Sequence, residues 1–410
     1  MFKSGSMRLG ILSLVMVVGA AAVAGQDGAA AAKVTKKPPR VCSPCLRASM
    51  EFLASDALRG RASGSGDERI AAEYIGAQLR QYGLEPVEGN SFVQQVEMVQ
   101  PVVKSAPALV LATAPPQRWM HGKDIMVFRT SGEAFRAPLA TSDSAEVQGA
   151  AVLLAEPPAA PRAIFKSVLE YGARGAVAVL VPENEAIAKY LEPQRGKPVE
   201  VRKALKKRTS ERTTTSVLFL SPAVAAQMAT APPGTMVSLE VERGDPQVTA
   251  TWNAVGMIRG TDAKLKSEAI LLSAHLDGQG VGSGAGDQIF NSADDDASGV
   301  VTALELARLL ADGPKPRRTI IFAFYGSEEE GGYGSQSFRE DPPVPLEKVI
   351  VNLQFEMVGR PDPKVGDKLW LTGYERSTLG PMLAKQGAHG RGGAHGVEFR
   401  IACRLSPAWR

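Results

Sequence analysis

The sequence predicts an α/β protein: a mixed, largely parallel sheet flanked by helices, with a small β-rich α/β domain inserted into it. Three observations predict this. Short, near-continuous apolar runs recur at Ala269–Ala274, Thr319–Tyr325, Val349–Phe355 and Leu369–Thr372. Such runs are the mark of strands buried on both faces. Between the first two lies an amphipathic stretch, Ser298 to Ala311, whose Val300, Val301, Leu304, Ala307 and Leu310 share one helical face. Residues 101–246 differ from both flanks. They are rich in proline and short β-prone runs, and hold no cluster of His with carboxylates.

The remaining elements follow in chain order. Residues 1–25 read as an export signal: Lys3 and Arg8 precede an apolar run from Leu9 to Val23, followed by small residues. That run is shorter than the roughly 20 residues of a membrane span. Residues 26–45 form an Ala-, Lys- and Pro-rich flexible leader. Its Cys42 and Cys45 are expected to form a local disulfide or to be spectator thiols, rather than a redox site. Residues 46–100 carry two helices. Met50, Leu53 and Ala54 give a face of the first, and Ile70, Tyr74, Ile75, Leu79 and Tyr82 a face of the second. Gly83 ends the second helix in the position where glycine is favoured. The stretch Arg59–Gly66 between them reads as a flexible connector. Inside the insert, Ala150–Leu154 and Ala176–Leu180 are expected strands, separated by a helix through Ile164, Val168 and Leu169.

The chain is long enough for two domains, and 44% hydrophobic with 22% charged residues is ordinary for a globular protein. A net charge of +4, without a basic run interleaved with aromatics, argues against nucleic-acid binding. No other stretch is apolar enough for a membrane span.

The polar groups of residues 247–388 are placed, not scattered. His275 and Asp277 follow the first apolar run, Glu328, Glu329 and Glu330 the second, and Glu356 the third. Asp294, Asp295 and Asp296 open the amphipathic helix. In open α/β sheets, sites form beyond the carboxyl ends of strands. Several carboxylates in one cleft repel one another, and a divalent cation removes that problem. Imidazole with carboxylates suits zinc. Two zincs about 3.5–4 Å apart could clamp a carbonyl oxygen, with a spare carboxylate as general base. Each piece has an ordinary explanation alone. An acidic run before a helix is a good N-cap, and Glu-Glu-Glu is usually solvated.

Together the pieces SAHLDG (273–278), NSADDDASG (291–299), FYGSEEEGGYGS (324–335) and NLQFEMVGR (352–360) resemble metallopeptidase family 28, the di-zinc aminopeptidases typified by secreted bacterial leucyl aminopeptidases. LASDALRGRASGSGDE at 53–68 resembles that family's opening segment, and the insert resembles a protease-associated domain. The resemblance covers roughly residues 46–387. It implies a zinc-exopeptidase fold of the phosphorylase/hydrolase-like kind and two zinc ions. His275, Asp295, Glu329 and Glu356 would be ligands, with Asp295 bridging both ions and Glu356 standing where many members have Asp. Asp277 would orient His275, and Glu328 would be the general base. A cis peptide is common in the family at the position of the Asp295–Asp296 bond.

The implied protein is an exported, periplasmic or extracellular aminopeptidase acting on peptide or protein substrates, with oligomeric state and residue preference open. The implied alternatives are a zinc carboxypeptidase or glutaminyl cyclase, or an impaired pseudo-peptidase that only binds peptide. The last follows from the expectation that the catalytic domain, 247–388, is incomplete. The family's final histidine ligand comes downstream of Glu356, and residues 389–410 carry no family motif, as in a frameshifted or prematurely ended reading frame. His389 and His395 are the candidates there. His121, in the insert, is expected to be a surface residue.

Overall fold

A computed structural model describes residues 40–159, 163–199, 201, 203–207, 215–232, 234–360, 371–372, 378–382 and 399–400. The export signal, the leader up to residue 39, His389, His395 and Cys403 lie outside the described residues.

Helix α1 (Ser43–Leu53) begins inside the stretch read as leader, with Cys42 as its cap. Cys42 and Cys45 are joined by a disulfide. The Cys42 N–H donates to Glu305 at 2.7 Å, which ties this end to a later helix. Helix α2 (Gly66–Gln81) starts at Ser65, whose hydroxyl accepts the Glu68 N–H, and Gly83 follows it with φ +77°. Its buried face is Ala71, Ala72, Ile75 and Leu79. Ile70, assigned to that face from periodicity, is instead 49% exposed. Ala71 and Ala72 take the core-facing positions instead.

The first sheet contains β1 (Val93–Val103), β2 (Ala204–Leu205), β3 (Arg243–Ile258), β4 (Ala269–His275), β7 (Thr319–Tyr325) and β8 (Val349–Phe355), with β5 (Gly280–Val281) and β6 (Ile289–Phe290) forming a separate hairpin. Its order is 371–372, 399–400, β8, β4, β7, β3, β1, β2. Strands β8, β4 and β7 are mutually parallel. The pairs β7–β3, β3–β1 and β1–β2 are antiparallel. The sheet is therefore mixed, with its parallel pairing centred on the strands that end in the acidic motifs.

Helices cover both faces, which is why the central strands are apolar throughout. On one face α1, α2 and α3 (Gly299–Asp312) pack Leu53, Ile75, Leu79, Val300 and Leu304 against Leu272, Ala274, Phe322 and Phe324. On the other, Phe338 of α4 (Tyr333–Glu340) packs with Leu271, Ile321 and Tyr325. Each large side chain so buried contributes about 1.5–3 kcal/mol.

Between β1 and β3 the chain builds a second, eight-stranded sheet. Ala151–Leu153 and Ala178–Pro182 lie parallel within it, joined through the helix Ile164–Ala173. Apolar clusters fill both of its faces. One short piece of this insert, β2, leaves it to pair with Met98 and Val99 of β1. Among the described residues no helix is long and apolar enough to cross a membrane.

Candidate metal and catalytic site

Because β4, β7 and β8 run parallel, their carboxyl ends lie on one edge, and the segments leaving them carry the polar groups. His275 closes β4 and is 1% exposed. Its Nε2 is 2.9 Å from Asp295 Oδ1. Its Nδ1 is 3.5 Å from Asp277 Oδ1, a charge contact beyond hydrogen-bond length, and has no hydrogen-bond partner. Burial favours a neutral imidazole, but Asp277, Asp295 and Asp296 together hold its pKa well above the usual value.

Asp277 is fully buried and does more than face His275. Its Oδ1 accepts the Glu328 N–H at 3.0 Å, and its Oδ2 accepts the Glu329 N–H at 3.2 Å and the Ser63 hydroxyl at 2.5 Å. One carboxylate thus fixes the loop that carries the expected base and an expected ligand.

The acidic run is a π-type turn, Ala293–Ser298, leading into α3, with a cis bond between Asp295 and Asp296. Asp295 is partly exposed and faces His275. Asp296 is fully buried. It accepts the His275 N–H on one oxygen, and the Gly299 and Met357 N–H groups on the other, all at 3.1 Å. It therefore joins the ends of β4 and β8 to the start of α3. Burial pushes its carboxyl well above the usual range, and the nearby Glu356 adds to this. Glu356 is itself 8% exposed and accepts from Gln354 at 2.8 Å.

Glu328 and Glu329 follow Ser327, which has φ +51°. Three further non-glycine residues with positive φ flank the same site: Arg61, Ser292 and Met357. Backbone of this kind costs energy and collects at functional sites. Burial, and then the charge of Asp295, raise the Glu329 pKa.

Two residues central to this arrangement were not singled out from sequence. Arg61 lies in the Arg59–Gly66 stretch expected to be a flexible connector. It is 1% exposed and donates to the carbonyls of Leu53, Leu276 (3.0 Å), Asn291 (3.1 Å) and Ser292 (2.9 Å). That stretch is therefore a fixed part of the site wall. Gly60 before it has φ +71°, and a Cβ there would overlap the carbonyl oxygens of Gly280 and Phe290. Glu68, buried at the start of α2, accepts from Thr251 Oγ1 (2.6 Å) and from the Ser327 and Gly64 N–H groups (2.9 and 2.8 Å).

The structure thus brings together His275, Asp277, Asp295 and the Glu328–Glu329 loop, with Glu356 beside Asp296. Among the described residues, no three of His, Cys, Asp and Glu close round one point at metal-ligand distance. The donor chemistry nevertheless fits a zinc-type ion. Glu329 Oε1 is buried without a hydrogen-bond partner, a group that a cation would satisfy. The raised pKa values of Asp296 and Glu329 mark an excess of buried carboxylate that a divalent ion would relieve. His121 lies in the insert. It is partly exposed, and its Nδ1 accepts the Val127 N–H at 3.0 Å.

Residues 253–385 match the model of the family described as Peptidase family M28. The resemblance read from the motifs therefore holds over that segment. Among curated proteins, the chain is similar to the Vacuolar membrane protease of Candida dubliniensis, with 41% identity over 22% of this chain and 9% of that one. It is also similar to the "Probable lipoprotein aminopeptidase LpqL" of Mycobacterium tuberculosis (30%, over 28% of this chain and 22% of that one). Carboxypeptidase Q of Rattus norvegicus is 34% identical over 22% of this chain and 18% of its own length. The matches span less than a quarter of each of these relatives. Among solved structures, BSAP, a zinc aminopeptidase from Bacillus subtilis, aligns over 86% of this chain and 78% of that one at 17% identity, with a TM-score of 0.42.

Proposed function

We propose that this chain, whose residues 253–385 carry the Peptidase family M28 match, is an exported zinc-dependent aminopeptidase that removes N-terminal residues from peptides. The observation that carries the reading is the convergence on Asp277. Its carboxylate faces His275 and holds the amides of Glu328 and Glu329, so the expected base and expected ligands share one support. His275, Asp295, Glu329 and Glu356 would hold zinc. Zinc bound there supplies Lewis acidity toward a peptide carbonyl and toward water.

The chain's own residues supply the proton chemistry. The Glu328 carboxylate takes a proton from the attacking water and returns it to the departing amine. Asp277 fixes where that carboxylate sits, by holding its backbone N–H at 3.0 Å. Arg61, among the buried acids, offsets part of their charge. Export is supported by the signal-like first 25 residues and by the Cys42–Cys45 disulfide, a bond that persists in oxidising compartments.

The test is Glu328→Gln in the full chain. It should retain zinc by elemental analysis and lose aminoacyl-anilide hydrolysis by about 10²–10⁴-fold. Undiminished turnover in that variant would sink the mechanism. A carboxypeptidase is the second reading, favoured by the likeness to Carboxypeptidase Q. Hydrolysis of peptides with blocked N-termini but not of those with blocked C-termini would select it.

A further inference from the structure

We propose that the short strand β2 and the preceding Lys203, which the insert sends back to the first sheet, position the loop that carries Glu328 and Glu329. This rests on the peptidase reading above for its catalytic meaning, but not for its geometry.

The loop is compact. The Gly331 and Gly332 N–H groups donate to the Glu328 carbonyl at 3.0 and 3.2 Å, and the Tyr333 N–H donates to the Ser327 carbonyl at 3.3 Å. Its last residue, Tyr333, is therefore a handle on the whole loop. On the inner side the catalytic module holds it: Glu68 takes the Ser327 N–H, and Asn253 takes the Gly326 N–H at 3.2 Å.

On the other side the insert holds it by three contacts of different kinds. The Tyr333 ring, 5% exposed, packs in a small apolar cluster with Leu205, Val96 and Met98. The Tyr333 hydroxyl donates to the Lys203 carbonyl at 2.8 Å. Lys203 Nζ pairs with Glu330. The strand is itself anchored away from the loop. Leu205 and Ala204 pair with Met98 and Val99, and the Lys206 N–H donates to the Glu97 carbonyl at 2.9 Å.

Magnitudes separate positioning from mere attachment. A partly exposed ion pair and a single neutral hydrogen bond each contribute little to global stability. Removing either leaves the fold intact. A small shift of a catalytic carboxylate, by contrast, can cost up to about 10²-fold in rate.

The experiment compares Lys203→Met, Tyr333→Phe and Lys203→Arg with the parent, and uses Lys206→Met, at the residue just after the strand, as a control. Two readouts are taken on the full chain: amide hydrogen exchange across Glu328–Gly331, and kcat and KM for an aminoacyl-anilide. Lys203→Met and Tyr333→Phe should each speed exchange at those amides and lower kcat by about tenfold, with KM changed by less than about twofold. Lys203→Arg should restore both readouts, and Lys206→Met should match the parent. Unchanged exchange at Glu328–Gly331 in both disruptive variants overturns the proposal whatever the activity. Absence of turnover in the parent would instead count against the peptidase reading, and the exchange result would still decide the proposal.

Discussion

Glu68 Oε1 lies 2.9 Å from the Ser327 amide nitrogen, so a buried carboxyl at the start of α2 holds the backbone one residue ahead of Glu328. The same oxygen accepts from Thr251 Oγ1, and the other from the Gly64 N–H. Gly326, next to Ser327, passes so close that a Cβ there would overlap both Thr251 Oγ1 and Glu68 Oε1. Glu68→Gln keeps the shape but replaces an acceptor with an amide NH2, which cannot accept from an N–H. The variant should lose about 1–3 kcal/mol in urea denaturation. An unchanged midpoint would show that Glu68 is not a strut.

The same carboxyl sets a pH dependence. Burial pushes its pKa from an ordinary 4.5 up to about 8, with Asp277 adding to the shift and the three hydrogen bonds opposing it. Between these values the folded state binds more protons than the unfolded one, so stability falls as pH rises. The contribution is fully present below about pH 4.5 and is lost by about pH 8. The raised values of Asp296, Glu329 and His275 act in the same direction. The chelator-treated chain should therefore unfold at lower urea at pH 8 than at pH 5.5. The decline should be shallower in Glu68→Gln, and parallel pH profiles would contradict the assignment.

Arg61 carries a larger structural load. Burial pushes its pKa down to about 10, while Asp277, Asp296 and Asp295 hold it up. Its guanidinium reaches four backbone carbonyls from three segments: the end of α1, the residue after β4 and the start of the acidic turn. Arg61→Leu would leave those carbonyls and the neighbouring acids uncompensated, at about 3–5 kcal/mol. Arg61→Lys keeps the charge but not the fork, so it should recover only part of the loss. A Lys variant as stable as the parent would mean that charge alone matters.

The legible parts of this molecule are those that burial writes into composition. Strands β4 and β7 are buried along almost their whole length, so their apolar runs mark them almost to the residue. Strand β8, only partly buried before Phe355, was still marked by its Val, Ile and Leu. Asp277, Glu328, Glu329 and Glu356 were legible because each follows such a run, and Asp295 because it opens the amphipathic helix. Strand β3 was not, because its first half is exposed and carries Asp245 and Pro246, which break the pattern. Arg61 hid in a glycine-rich stretch, where a charged residue ordinarily means solvent. Glu68 hid behind a Ser-x-x-Glu signature, Ser65 to Glu68, that a helix capping box fully explains. Its carboxylate instead reaches Gly64, Thr251 and Ser327, contacts that exist only once β3 and β7 are placed. Asp296 was visible as one acid of three. Its task of tying two strand ends to α3 depends on a turn that no local pattern specifies.

Asp277 makes the sharpest division between holding and reacting. It is fully buried and accepts two backbone N–H groups and a hydroxyl. Asp277→Asn is nearly isosteric, but one of its two positions becomes a donor set against the N–H of Glu328 or Glu329. If Asp277 only oriented His275, the variant would weaken zinc binding and leave the Glu328 loop in place. If it supports the loop as the distances imply, amide exchange at Glu328 and Glu329 should rise, and kcat should fall by about 10²-fold even with zinc in excess. Amides as protected as the parent's, with activity rescued by added zinc, would reduce Asp277 to a partner of His275 alone.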